Sequence, residues 1–474
     1  MSYTKPASRG QSFLLVLNAF LNVKGLPFAD VLSEQQIHEA FEKEDALFGQ
    51  EEDDVYTPAL TLFGFLSQVM HTGAERACTA TVKRLRNCCL ALGIRAPSPD
   101  TGAYCRARAK LPNVVLEDLT YVVADELESQ TPKKSLWHGR SVKIVDGSTL
   151  MAPDTEENQE EWPQMASQKP GLGFPIFRFC VLMSLATGAL CGLAMGPYQG
   201  KETGEPALLR ELFSRLKRGD ILLGDTCFCS YFMIALLQEL GVDVVVQQHQ
   251  CRTTDFAQGK RLGQGDHVVC WTKPDRPEWM DEETYERIPD ELKIRELEVR
   301  VQVPGFRTKK LVVVTTLTNG RRYPKADLAS LYRDRWHVEL DLRALKVHMQ
   351  MEDLRGQTPE MVKKEIWGHC LAYNLIRRTM CQAASQAGCQ VRQLGFMGAR
   401  QSITSSWSDS VTATSELLDK IAQSQLKTIA YKKVGKRPNR VEPRAVKRRP
   451  RKQKLLTTPR DKARAELGVS ATAT

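Results

Sequence analysis

The side chains best placed for chemistry lie in the run Tyr332-Arg333-Asp334-Arg335-Trp336-His337-Val338-Glu339, with Lys346 following. At roughly 100° per residue, Tyr332, Arg335, Glu339 and Lys346 fall within an arc of about 60° on one helix face. A core-facing stripe would be apolar, and a solvated stripe needs no such ordering. An acid beside two cations and a phenol suits phosphate chemistry: Arg grips a phosphate with a planar fork, and Lys acts as a point charge. Two further acids stand at the ends of short β-type runs. Asp146 closes Val142 to Val145, and Asp225 follows Ile221-Leu222-Leu223-Gly224. Other carboxylates compete on residue type alone. Asp154, Glu156, Glu157, Glu160 and Glu161 form an acidic, Pro-flanked loop that reads as solvated surface, and Asp334 and Asp341 lie off the signature face.

The elements around these residues set out a domain order. At 474 residues the chain exceeds one ordinary domain. Residues 1–130 read as a helical, mildly basic DNA-binding domain, with apolar faces at Phe13 to Leu17 and Leu62 to Val69. Residues 136–240 carry a strand, a hairpin over Ile176 to Met195, a helix from Glu205 to Arg218, a second strand and a helix from Phe228 to Leu240. Residues 241–310 read as a β-rich insertion. Residues 311–385 return to the core with the strand Val312 to Thr316 and a long amphipathic helix from Lys325. A helical segment, 386–426, and a disordered basic tail, 427–474, complete the chain. That order predicts a mixed α/β fold, an RNase H-like mixed sheet interrupted by the insertion.

Composition restricts the classes. With 42% hydrophobic and 26% charged residues the chain reads as globular and core-forming. A net charge of +10, concentrated in clusters such as Lys447-Arg448-Arg449, favours a polyanionic partner. The thirteen cysteines contain no C-x-x-C pair, which argues against a zinc site or a disulfide scaffold. No signal-peptide layout opens the chain, and Arg178 and the turn at Ala186-Thr187-Gly188 argue against a membrane span. A cytoplasmic location follows as the expectation.

The spacing Tyr-x2-Arg-x3-Glu-x6-Lys resembles the signature of bacterial insertion-sequence transposases of the insertion-sequence-four family. Asp146-Gly147-Ser148-Thr149 and Leu223-Gly224-Asp225 are similar to that family's two other acidic motifs. Pro304 to Lys309 and Ala372 to Arg377 also resemble stretches of these enzymes. The resemblance covers roughly Asp54 to Arg378. Thr226 departs from it, because relatives often carry a basic residue directly after the second Asp.

The resemblance implies a DNA transposase that cuts element ends and joins them to target DNA. Asp146, Asp225 and Glu339 would be its catalytic, metal-binding triad, with Mg²⁺ as cofactor and Mn²⁺ able to substitute. Tyr332, Arg335 and Lys346 would hold DNA phosphates. Trp271 would stack on a base flipped from the duplex end; the alternative is a strand Trp packed on its own sheet. Partners would be DNA with terminal inverted repeats and target DNA, bound by a dimer in the synapse, with the protein at the bacterial nucleoid when bound. Two rivals are a metal-dependent endonuclease and a non-catalytic DNA-binding protein descended from a transposase.

Overall fold

A computed structural model describes residues 34–49, 54–91, 95–300, 310–406, 415–434 and 457–466. The expected apolar face at Phe13 to Leu17, the Pro304 to Lys309 stretch and most of the basic tail lie outside these residues.

Two helices near the start set the first layer, α1 (Pro58–Met70) and α2 (Asn113–Ser129). Pro58 opens α1 at its first turn, and the Thr57 hydroxyl accepts from the Leu60 N–H at 3.2 Å. Both helices pack against the long helix Pro359–Gln386, so the N-terminal helices share one hydrophobic core with the rest of the protein. Asn374 on that long helix shows how tightly. Its buried amide donates to Thr120 O and Leu190 O, both at 3.0 Å, and accepts from Leu190 N at 2.8 Å. Breaking such a satisfied group costs about 1–3 kcal/mol.

Among the described residues nine strands form one continuous sheet: β1 (Val142–Met151), β2 (Ile176–Ser184), β3 (Leu190–Pro197), β4 (Ile221–Gly224), β5 (Asp243–Gln247), β6 (Lys260–Gly263), β7 (Asp266–Thr272), β8 (Glu291–Arg300) and β9 (Lys310–Thr315). Their spatial order is β3-β2-β1-β4-β5-β9-β8-β7-β6. Strands β1, β4 and β5 run parallel, and the remaining pairs are antiparallel. The fold is therefore a mixed α/β one. Strand β4 is buried along its whole length, which explains its uninterrupted Ile-Leu-Leu.

Several expected boundaries move. Strand β5, which falls within the expected insertion 241–310, pairs in parallel with β4 and stands among the central strands. The helix expected from Glu205 to Arg218 is shorter: α3 (Glu205–Glu211) gives way to a 3₁₀ turn at Phe213–Arg215. The long helix expected from Lys325 is broken into α4 (Lys325–Asp334) and α5 (His337–Arg343), followed by a π turn at Ala344–His348. The helix Ser415–Tyr431 runs past the expected start of the disordered tail, Lys433 pairs with Leu394, and a further helix forms at Arg460–Glu466. No helix among the described residues is long and apolar enough to cross a membrane.

Candidate active site

The register of the two central parallel strands places the first two acids. The last aligned pair of β1 and β4 is Ile144 with Leu223. Two residues further along stand Asp146, midway along β1, and Asp225, directly after β4, just beyond the point where the parallel pairing of the two strands ends. Burial along β1 changes at this point: Val142 to Val145 are buried, and Asp146 to Thr149 are half-exposed. Gly224 permits the turn that presents Asp225, because a Cβ there would lie 2.9 Å from Val145 and 3.0 Å from the Phe228 ring. The Asp225 carboxylate then caps the following 3₁₀ turn by accepting from Cys227 N at 2.8 Å.

Glu339 comes from α5, which packs on β1. It is linked to Asp146 through Arg335, whose Nη2 lies 3.3 Å from Glu339 Oε1 and whose Nη1 lies 4.0 Å from Asp146 Oδ2. Arg335 sits at the junction of α4 and α5, where the helix is interrupted, and the break turns its guanidinium toward the sheet. The other signature residues also turn that way. The Tyr332 hydroxyl donates to Gln247 Oε1 on β5 at 3.2 Å, and Lys346 Nζ donates to Ser148 Oγ and Thr149 O on β1, both at 2.9 Å. The signature side chains thus tie their helical segment to β1 and β5, the two strands that flank β4. The π turn around Lys346 is of a rare kind that is found frequently at functional sites.

Electrostatics mark the same place. Burial, with Asp225 and Glu205 nearby, pushes the Asp146 carboxyl up to about 6, against the pull of Arg335 and the Gly147 N–H. Burial also raises the Tyr332 phenol to about 12 and lowers Lys346. Glu205, the first residue of α3, was not singled out in the sequence. It faces the same group of acids, and burial and the Asp225 charge raise its carboxyl. Its position at a helix start offered no separate signal, since an acid there already suits the helix dipole.

The three acids suit a hard divalent cation in that all offer carboxylate oxygens, and Asp146 is in addition buried with the Asp225 charge nearby. Among the described residues no three His, Cys, Asp or Glu side chains already stand close enough to share one ion. Arg335 is the cation that Asp146 and Glu339 meet here. Because only an ionised carboxylate binds a metal, Mn²⁺ affinity of the DNA-free protein is expected to fall as pH drops through about 6. Titration calorimetry at about pH 5 and about pH 7.5 measures it, with a loss of roughly tenfold per pH unit at the acid end. Equal affinities would remove the titrating ligand.

Other expected residues stand elsewhere. Trp271 is only 5% exposed on β7, its indole N–H donates to Glu296 at 2.9 Å, and the Arg252 guanidinium covers its ring at 3.8 Å. That is the sheet-packing alternative, and a base could stack on this ring only by displacing Arg252. The expected acidic loop folds instead as a short helix, Glu156–Glu161, whose Glu156, Glu157, Glu160 and Glu161 are all exposed. Asp341 is fully buried and pairs with Arg377 and Arg392, away from the triad.

The chain is 28% identical, over 306 residues, to the transposase InsG of insertion sequence element IS4 from Escherichia coli (strain K12). The match covers 62% of this chain and spans 64% of the length of that relative, just short of two thirds. A cryo-EM structure of the piggyBac transposase synaptic complex with hairpin DNA is also similar, at a TM-score of 0.42 and 9% identity, covering 86% of this chain and 85% of that one. A family model described as "Transposase DDE domain" matches residues 137–375, just over half the chain. Asp146, Asp225 and Glu339 all fall inside that span, and the chain belongs to the family of DDE-domain transposases.

Proposed function

We propose that the protein is a DNA transposase that cuts the ends of its element and joins them to target DNA at one carboxylate centre. The observation that carries this reading is the alignment of Asp146 and Asp225 beyond the last β1–β4 pair, with Glu339 joined to Asp146 through Arg335. The strand order supports an RNase H-like core, with β1, β4 and β5 parallel and β2 antiparallel beside β1.

In this reading Asp146, Asp225 and Glu339 hold Mg²⁺, for which Mn²⁺ can stand in. When bound, Mg²⁺ activates the attacking oxygen and stabilises the charge on the leaving one. Arg335, Tyr332 and Lys346 supply the phosphate contacts. The Arg335 guanidinium, set between two carboxylates, is free to exchange them for a DNA phosphate while the carboxylates take up metal. Lys346 keeps its ammonium beside β1, one turn of strand beyond Asp146. The N-terminal helices would read the inverted repeats, and the basic tail would add salt-sensitive affinity. Two element ends require a dimer in the synapse.

A strand-transfer assay tests the reading. Wild-type protein given pre-cleaved ends, target DNA and Mg²⁺ is expected to yield joined products. Cutting of intact ends without any joining would favour an endonuclease instead.

A further inference from the structure

Glu205 stands apart from the triad in sequence and beside it in space. Helix α3, which it opens, packs against β1, β2, β3 and the turn carrying Asp225. The place where a Cβ of residue 147 would lie is filled by the Glu205 side chain, from Cγ to Oε1. A glycine directly after Asp146 therefore admits this carboxylate against the catalytic strand. Any larger residue there would push it out.

The surroundings give Glu205 little reason to turn inward by itself. The helix-dipole explanation for an acid in a first turn works equally well with the side chain in solvent. Here it is folded over Gly147, partly desolvated and close to Asp225, which repels it. Among the described residues no donor makes a hydrogen bond to its carboxylate. The cation that acts on it is Arg178 on β2, and that guanidinium is engaged with Thr203 O at 2.9 Å and lies over the Tyr198 ring at 5.0 Å. A carboxylate kept beside two others is unfavourable until a cation joins them. Two divalent ions carry four positive charges, and three carboxylates neutralise only three of them.

We propose that Glu205 is a fourth carboxylate of the catalytic centre, facing the same divalent cation as Asp146 and Asp225, and that Gly147 is the opening through which it reaches them. The proposal rests on the reading that Asp146 and Asp225 hold metal.

The test uses the full chain without DNA and Mn²⁺ as the probe, with binding followed by loss of the free-ion paramagnetic resonance signal. Glu205→Gln is expected to weaken Mn²⁺ binding by about tenfold or more. It should raise the Mg²⁺ concentration for half-maximal cleavage in step, while metal-free binding to end DNA stays the same. Asp146→Asn is the reference. Wild-type Mn²⁺ affinity in Asp146→Asn would overturn the underlying metal reading. Loss of affinity in Asp146→Asn with wild-type affinity and Mg²⁺ dependence in Glu205→Gln would overturn the role of Glu205 alone. Gly147→Ala moves the carboxylate without altering charge and decides the matter should Glu205→Gln fail to fold. A folded Gly147→Ala protein is expected to show the same weakening, and unchanged Mn²⁺ binding in it would also overturn the proposal.

Discussion

Replacing Glu339 with Gln is expected to cut Mg²⁺-dependent cleavage of end DNA by more than about a hundredfold while the fold stays intact. Changing a residue that merely supports a metal ligand costs roughly 10–100-fold, so losing the direct donor proposed at Glu339 should exceed that range. The substitution keeps shape and removes charge. Structurally it is mild, because the Glu339 side chain is 37% exposed and its one close ion pair is Arg335 at 3.3 Å. Surface changes of this kind usually move stability by no more than about 0.5 kcal/mol. End cleavage and the urea unfolding midpoint measure the two effects separately. Cleavage at the wild-type rate would sink the assignment of Glu339, and a collapsed midpoint would show that the loss came from misfolding.

Asp341→Ala is expected to do the opposite, lowering stability by about 3–5 kcal/mol. Asp341 is fully buried two residues after Glu339, and both its oxygens are engaged. Arg392 Nη1 reaches them at 2.7 and 2.8 Å, and Arg377 pairs with one of them while its Nε donates to the Tyr373 hydroxyl at 2.8 Å. Removing the acid strands two guanidiniums that are 6% and 13% exposed. An uncompensated buried charge costs far more than the pair contributes when intact. Equilibrium urea unfolding of Asp341→Ala against Glu156→Gln, an exposed acid on the short helix Glu156–Glu161, provides the comparison. Equal midpoints would show that the two arginines find other partners.

The contrast between these two acids shows what was legible in the sequence. Glu339 could be found because its neighbours at helical spacing are polar where a core helix would be apolar. Asp341 could be set aside as a ligand for the same reason, but nothing nearby announced Arg377 and Arg392, which come from 36 and 51 residues further along. Asp146 and Asp225 were readable as apolar runs closed by Asp, although β1 continues to Met151 and leaves Asp146 in mid-strand, and the hairpin at Ile176–Pro197 was readable by its central Gly188. Other features depended on tertiary packing. Strand β5 looks like insertion in sequence and becomes a central strand only through its pairing with β4. The helix break at Arg335 has no Pro or Gly to announce it. Glu205 was hidden by a sufficient local explanation, and the burial of Trp271 depended on Arg252 closing over it.

The unbroken sheet has a further consequence. A hinge between the central strands and the hairpins beyond them would need a gap in the hydrogen-bond ladder, and none separates β4 from β7 in the order β4-β5-β9-β8-β7. Strands sit about 4.8 Å apart, so those four steps span roughly 19 Å. The sheet therefore works as a ruler, setting the outer strand β7 at that spacing from β4, the strand that leads into Asp225.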